Sequence, residues 1–205
     1  CSNGCSRVYC IGTFLRCRLM TSVVEICNIG LTNLGDQKIS SLSDNNERAR
    51  LCNLRFNDVR DSVLRAHPWS CAVTRVKLAR SSTNPVWEFS YRYALPSDCL
   101  RLIDLYDWDK EHHVENGFIV TDAEQAWIKY VKRIEDPNEF DSLLIQAIGL
   151  RLASEIAEAL TGRPELRDNM FARYNQTLSE ARSVDSAEKA YVNTIYADIF
   201  IEARR

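Results

Sequence analysis

Two hydrophobic periods meet at His67-Pro68-Trp69, and that junction limits what the chain can become. Upstream, Ala49, Cys52, Phe56, Val59 and Val63 recur at spacings of three and four, which lays them on one face of a helix. Downstream, Val73, Val76 and Leu78 stand among polar residues, and Val86, Trp87, Phe89, Tyr91 and Tyr93 then alternate with Glu88, Ser90 and Arg92. Pro68 disfavours helical backbone in the residue before it, so the helix must stop by His67. A helix over residues 45–66 therefore hands over to strands. Asp44 is expected to cap it, with Glu47 three residues on as its reciprocal partner. The opposite face carries Arg48, Arg50, Asn53, Arg55, Asp58, Arg60, Asp61 and Arg65, and reads as a face that is solvated or set against a neighbouring subunit.

The same reasoning extends in both directions. Val23, Cys27, Leu31 and Leu34 mark an earlier helix over 22–34, closed by Gly35. Ser81-Ser82-Thr83-Asn84-Pro85 is turn chemistry, so the strands on either side of it are expected to pair. Cys99 to Tyr106 reads as one or two helical turns. Phe118-Ile119-Val120 and Trp127 to Val131 flank the polar turn 121–125 and read as a further hairpin.

Asp136-Pro137 opens a long helix to about Leu160, apolar around most of its circumference and so expected at the centre of the molecule. Thr161-Gly162 closes it and Pro164 opens another, whose stripe of Met170, Phe171, Tyr174 and Leu178 ends near Arg182. The expected class is α+β, mainly α: about four helices, an antiparallel β insertion at about 70–132 between the second and third, and an extended or helical C-terminal tail.

Three segments follow. Residues 1–19 crowd Cys1, Cys5, Cys10 and Cys17 without periodicity, and Met20-Thr21-Ser22 follows like a translation start. They read as an upstream extension, non-native or disordered, and their cysteine spacings miss the paired geometry of a zinc site. Residues 20–185 form the main domain. Residues 186–205 place Tyr191, Ile195 and Ile199 at intervals of four with no partner sequence beyond them, and read as an interaction tail. The scattered Cys27, Cys52, Cys71 and Cys99 read as small buried apolar groups in a reducing cytoplasm.

Charge and chemistry narrow the function. A formal net charge of -2 gives no global attraction to nucleic acid, and no apolar run is long enough to cross a bilayer. The sequence contains no P-loop, no G-x-G-x-x-G and no G-x-S-x-G. His112 and His113 are adjacent and so point apart, which favours a solvated loop over a metal site. Asp107 with Asp109, and Glu135 with Asp136, could flank a glycosidic bond, although turn and cap roles explain them more simply. No metal or cofactor is expected. The run from Arg75 to Tyr93, with Lys77, Arg80, Trp87, Phe89, Tyr91 and Arg92, could stack single-stranded nucleic acid, but it suits a half-buried sheet whose edge meets another subunit better.

An ordered set of fragments carries a family likeness. It runs through Ser41-Leu42-Ser43, Glu47-Arg48-Ala49-Arg50, Val59-Arg60-Asp61, Val63-Leu64-Arg65-Ala66-His67-Pro68-Trp69 and Tyr93-Ala94-Leu95-Pro96-Ser97-Asp98-Cys99-Leu100-Arg101. It continues with Tyr130-Val131-Lys132-Arg133, Asp136-Pro137, Phe140-Asp141 and Leu152-Ala153-Ser154-Glu155-Ile156-Ala157. Residues 23–182 in this order resemble the tail tubular protein A family of short-tailed bacteriophages.

The resemblance implies a non-enzymatic head-to-tail adaptor, a dodecameric ring beneath the portal protein that connects it to the tail nozzle protein. Genomic DNA would pass through the ring without sequence-specific binding. The protein would be assembled in the host cytoplasm and reside in the neck of the virion. Interface candidates are Arg75, Lys77, Trp87, Phe89, Tyr91 and Tyr93 on the β insertion and Tyr191, Ile195 and Ile199 on the tail, which would reach towards the portal. The alternative is a tail-associated cell-wall or capsule polysaccharide hydrolase that uses the carboxylate pairs.

Overall fold

The computed structural model describes residues 21–106 and 110–202. Four helices and two small antiparallel three-stranded sheets make an α+β fold, about half helical, with both sheets between the second and third helices. Helix α1 spans Val23–Asn33, α2 spans Glu47–Ala66, α3 spans Ser142–Thr161 and α4 spans Pro164–Glu202.

The helix ends show which local signals won. Ser22 caps α1: its hydroxyl accepts from the Glu25 N–H at 3.1 Å while the Glu25 carboxylate accepts from the Ser22 N–H at 3.0 Å. The reciprocal capping box expected at Asp44 and Glu47 is therefore found here instead. Asn46 caps α2 by accepting from the Ala49 N–H at 2.8 Å, and Asp44 accepts from Ser40 and Ser41 to hold the turn that leads in. Asp136 caps a short 3-10 turn at Pro137–Glu139, and Asp141 caps α3 one turn later, so the long helix starts after the expected Pro.

The helical core forms around α3, which packs against α1, α2 and α4. Its crossing with α1 is close because two glycines meet there. A Cβ on Gly30 would lie 3.0 Å from the Gly149 carbonyl, and one on Gly149 would lie 2.8 Å from Ile29 Cγ2. Leu144, Ala147, Ile148 and Ile156 then share one buried cluster with Ile26, Cys27, Leu31, Cys52, Phe56 and Val63. Cys27 shares a hydrogen bond with Cys52, and that bond together with burial keeps its thiol protonated far above the usual range.

The charged face of α2 is not simply solvated. Arg60 is buried at 6% exposure, and Asp61 accepts from it and from Arg133 Nε at 2.7 Å. Arg65 donates to the Leu100 carbonyl, and Arg101 returns a bond to the Arg65 carbonyl at 3.1 Å, so this face binds the helix to the Cys99–Leu105 strand.

In the first sheet, β6 (Trp127–Lys132) lies between β1 (Val73–Lys77) and β3 (Cys99–Leu105), and in the second, β5 (Phe118–Thr121) lies between β2 (Tyr91–Ala94) and β4 (His112–Glu115). Three expectations are corrected. The strands flanking residues 81–85 are not a hairpin: β1 pairs with β6 and β2 with β5, and among the described residues β-pairing between the two sides is limited to an isolated bridge from Arg80 to Tyr93. The segments flanking 121–125 also belong to different sheets. Cys99–Leu105 is a strand with two register shifts rather than helical turns.

His112 and His113 lie on β4 rather than in a loop, opposite Thr121 and Val120 of β5. The turn joining β4 to β5 is Asn116-Gly117, with φ of 46° and 79°, the geometry that two-residue hairpins require. A second, smaller core of Leu78, Tyr93, Leu105, Ile119, Ile128 and Tyr130 lies between the sheets.

Helix α4 continues past Arg182 to Glu202, so residues 186–202 are helical. It is fixed to the end of α2 where Asp185 meets His67 Nε2 at 2.7 Å and accepts from the Ser70 N–H at 2.9 Å. Among the described residues no helix is long and apolar enough to cross a membrane. Residues 1–19 lie outside the described residues.

Candidate functional site

Alternation along β6 builds the site. Ile128 and Tyr130 face the small core, and Trp127, Lys129 and Val131 share the other face. At Val131 that face is buried in the helical core, whereas at Trp127 it is 47% exposed. The register places Lys77 of β1 opposite Trp127, Arg75 opposite Lys129, and Asp104 of β3 on the far side of Lys129. Tyr106, just beyond β3, donates its backbone N–H to the Trp127 carbonyl at 2.8 Å and leaves its ring 79% exposed.

The result is an open concavity of about 730 Å³, lined by Arg75, Val76, Lys77, Asp104, Tyr106, Trp127, Ile128 and Lys129. Lys77 is held in place. Its ammonium lies 5.0 Å from the centroid of the Trp127 ring and donates to Gln125 Oε1 at 3.0 Å. Three cations and one carboxylate around exposed aromatic rings make a surface suited to an acidic, partly apolar protein partner.

A second exposed feature lies on the loop between β1 and β2. Val86 and Trp87 stand out into solvent, while the residues on either side are fixed. Arg80 stacks on the Tyr91 ring at 4.0 Å, Arg92 donates to the Thr83 hydroxyl and the Ser81 N–H donates to the Arg92 carbonyl at 2.8 Å. Hydrogen bonds from Ser90, side chain first and then backbone, hold the Asp122 carboxyl below its usual range.

The sequence-predicted contact residues divide accordingly. Arg75 and Lys77 line the concavity, Trp87 is exposed on the loop, and Tyr91 is half-buried beneath Arg80. Phe89 and Tyr93 are corrected from contact residues to interior ones. Phe89 is buried with its ring 5.2 Å from that of His113, and Tyr93 is 1% exposed and donates its hydroxyl to the Ala123 carbonyl at 2.8 Å. Tyr191, Ile195 and Ile199 fall on α4, but their side chains lie outside the described residues. Sequence reasoning missed Tyr106, Trp127 and Lys129 as surface groups, although the alternation Trp127-Ile128-Lys129-Tyr130-Val131 already placed Trp127 and Lys129 on one face.

The carboxylates named for hydrolysis are differently placed. Asp136 is engaged in its cap, and Glu135 lines two polar clefts together with Arg133. Asp107 and Asp109 lie outside the described residues. His113 Nε2 lies 3.7 Å from Glu111 on an exposed edge, and among the described residues no three His, Cys, Asp or Glu side chains are grouped to hold a metal ion. Comparison with protein-family models and with curated proteins finds no match for this chain.

Proposed function

We propose that the protein is a structural head-to-tail adaptor of a short-tailed bacteriophage. It acts by geometry: copies form a ring, expected to be dodecameric, beneath the portal protein, and the ring carries the tail nozzle protein and gives passage to the genomic DNA. The reading has two supports. One is the ordered resemblance over residues 23–182. The other, which carries it, is the outer face of the first sheet, where Trp127 and Tyr106 are exposed among Arg75, Lys77 and Lys129.

Aromatic side chains and arginine are enriched in the centres of protein interfaces, and a surface of that kind is what an assembling subunit needs. Tyr191, Ile195 and Ile199 are assigned to contact with the portal, on the C-terminal part of α4. Size-exclusion chromatography with light scattering, run on the protein alone and with portal protein, tests the reading. Co-elution as a ring-sized complex is expected; a strict monomer that never associates with portal would overturn it.

A further inference from the structure

We propose that the Val86-Trp87-Glu88 tip of one copy seats in the basic, aromatic concavity of the first sheet on a second copy, so that chains associate head to tail. The inference deepens the ring reading above and rests on it for closure of the assembly. Trp87 is 76% exposed and Val86 is 99% exposed, so neither fills a groove on its own chain. The tip is held rather than loose. Ser81 and Ser90 bond to Arg92 and Asp122 on either side of it, and Phe89 anchors its base in the interior. Glu88 holds a φ of 72°, the left-handed region that a glutamate adopts only where its surroundings impose it. A tryptophan presented in this way loses little conformational freedom on binding, which is the property of an interface anchor.

The concavity matches the tip in size and charge. Its volume of about 730 Å³ has room for an indole, and the rings of Tyr106 and Trp127 give it apolar walls. Arg75, Lys77 and Lys129 offer cations to the face of the incoming ring and to the Glu88 carboxylate. Among the described lining residues three cations stand against the single carboxylate of Asp104, and they face a tip whose one charge is the Glu88 carboxylate. The tip and the concavity are different surfaces of the same chain. The contact is therefore heterologous, which yields a closed ring when the rotation between neighbours closes and a filament when it does not.

The test uses full-length chains in sedimentation velocity across a concentration series. Trp87→Ala removes the anchor, and Lys77→Glu with Lys129→Glu reverses the charge of the concavity. The native chain is expected to oligomerise, and each variant alone to associate about thirty-fold more weakly or worse. An equimolar mixture of the two variants should form a heterodimer that grows no further, because one intact tip meets one intact concavity. The mixture also shows that each variant is folded in the half it keeps. Glu88→Lys combined with Lys129→Glu should restore association that either change alone weakens. Variants that associate like the native chain, or a mixture that stays monomeric, overturn the inference. A native chain that is monomeric alone yet joins the portal also overturns it and leaves the adaptor reading standing. Head-to-tail association with no affinity for portal supports the inference and overturns the adaptor reading.

Discussion

In the helical core Leu144, Ile148 and Leu152 are completely buried within one apolar cluster, whereas the core between the sheets closes around two tyrosines whose hydroxyls both need partners. Tyr93 donates to the Ala123 carbonyl, and Tyr130 donates to the Asp98 carboxylate at 3.2 Å. The first region is stabilised by apolar area removed from water and by close approach of backbones at Gly30 and Gly149. The second has far less area to bury and depends on satisfied polar groups. The difference teaches where variation is tolerated. Trp87, Tyr106 and Trp127 can stand exposed because those side chains contribute little to either core.

The comparison breaks most readily at α3. Leu144→Ala removes a fully buried side chain from the helical cluster and should cost about 2 to 5 kcal/mol in urea unfolding followed by circular dichroism. A loss near zero would show that the helical region does not carry the fold. Tyr93→Phe leaves the Ala123 carbonyl unpaired in the small core and should cost about 1 to 3 kcal/mol. Hydrogen exchange should locate the loosening in β2 and β5; equal loosening across α3 would erase the distinction between the two regions.

The smallest effect is a pH dependence. Burial, and after it the Asp98 carboxylate, pushes the Tyr130 phenol up to about 12. Its folded value lies above its ordinary value near 10, so its contribution is complete below about pH 10 and is lost as the pH rises through about 12. The stability of Tyr130→Phe should therefore fall less steeply over that window than the stability of the native chain. Identical alkaline profiles would remove Tyr130 from the account of how the sheets are held.

The helices were legible because an apolar stripe at three and four residues is a local signal that tertiary structure only reinforces. Their starts were less so. Asp44 and Asn46 can both cap, and only the structure shows that Asp44 is committed to Ser40 and Ser41. Strand partners were not legible, since β1 pairs with β6 and β2 with β5 across long stretches of chain, while the turn residues 81–85 join two different sheets. The apolar run Cys99–Leu105 is too short for its period to separate strand from helix. Asn116-Gly117 is a local signal that could have given one pairing, that of β4 with β5, but reading His112-His113 as a loop missed it.

The candidate surface was half legible for the same reason. Alternation named Arg75, Lys77 and Trp87 but could not say that Phe89 and Tyr93 turn inward, because that depends on which sheet covers which face.

The position of both sheets between α2 and α3 also governs how the chain comes together. Ile26, Cys52 and Phe56 of the first two helices share their cluster with Leu144, Ile148 and Ile156 of the third, so α1 and α2 complete no core of their own. Closing the intervening loop costs little more than closing a shorter one, but contacts between distant residues slow the search for the native state. On the ribosome the apolar faces of α1 and α2 wait uncovered until residues 142–161 have emerged. That interval, rather than the finished structure, is when the chain is most open to aggregation and has most need of chaperones.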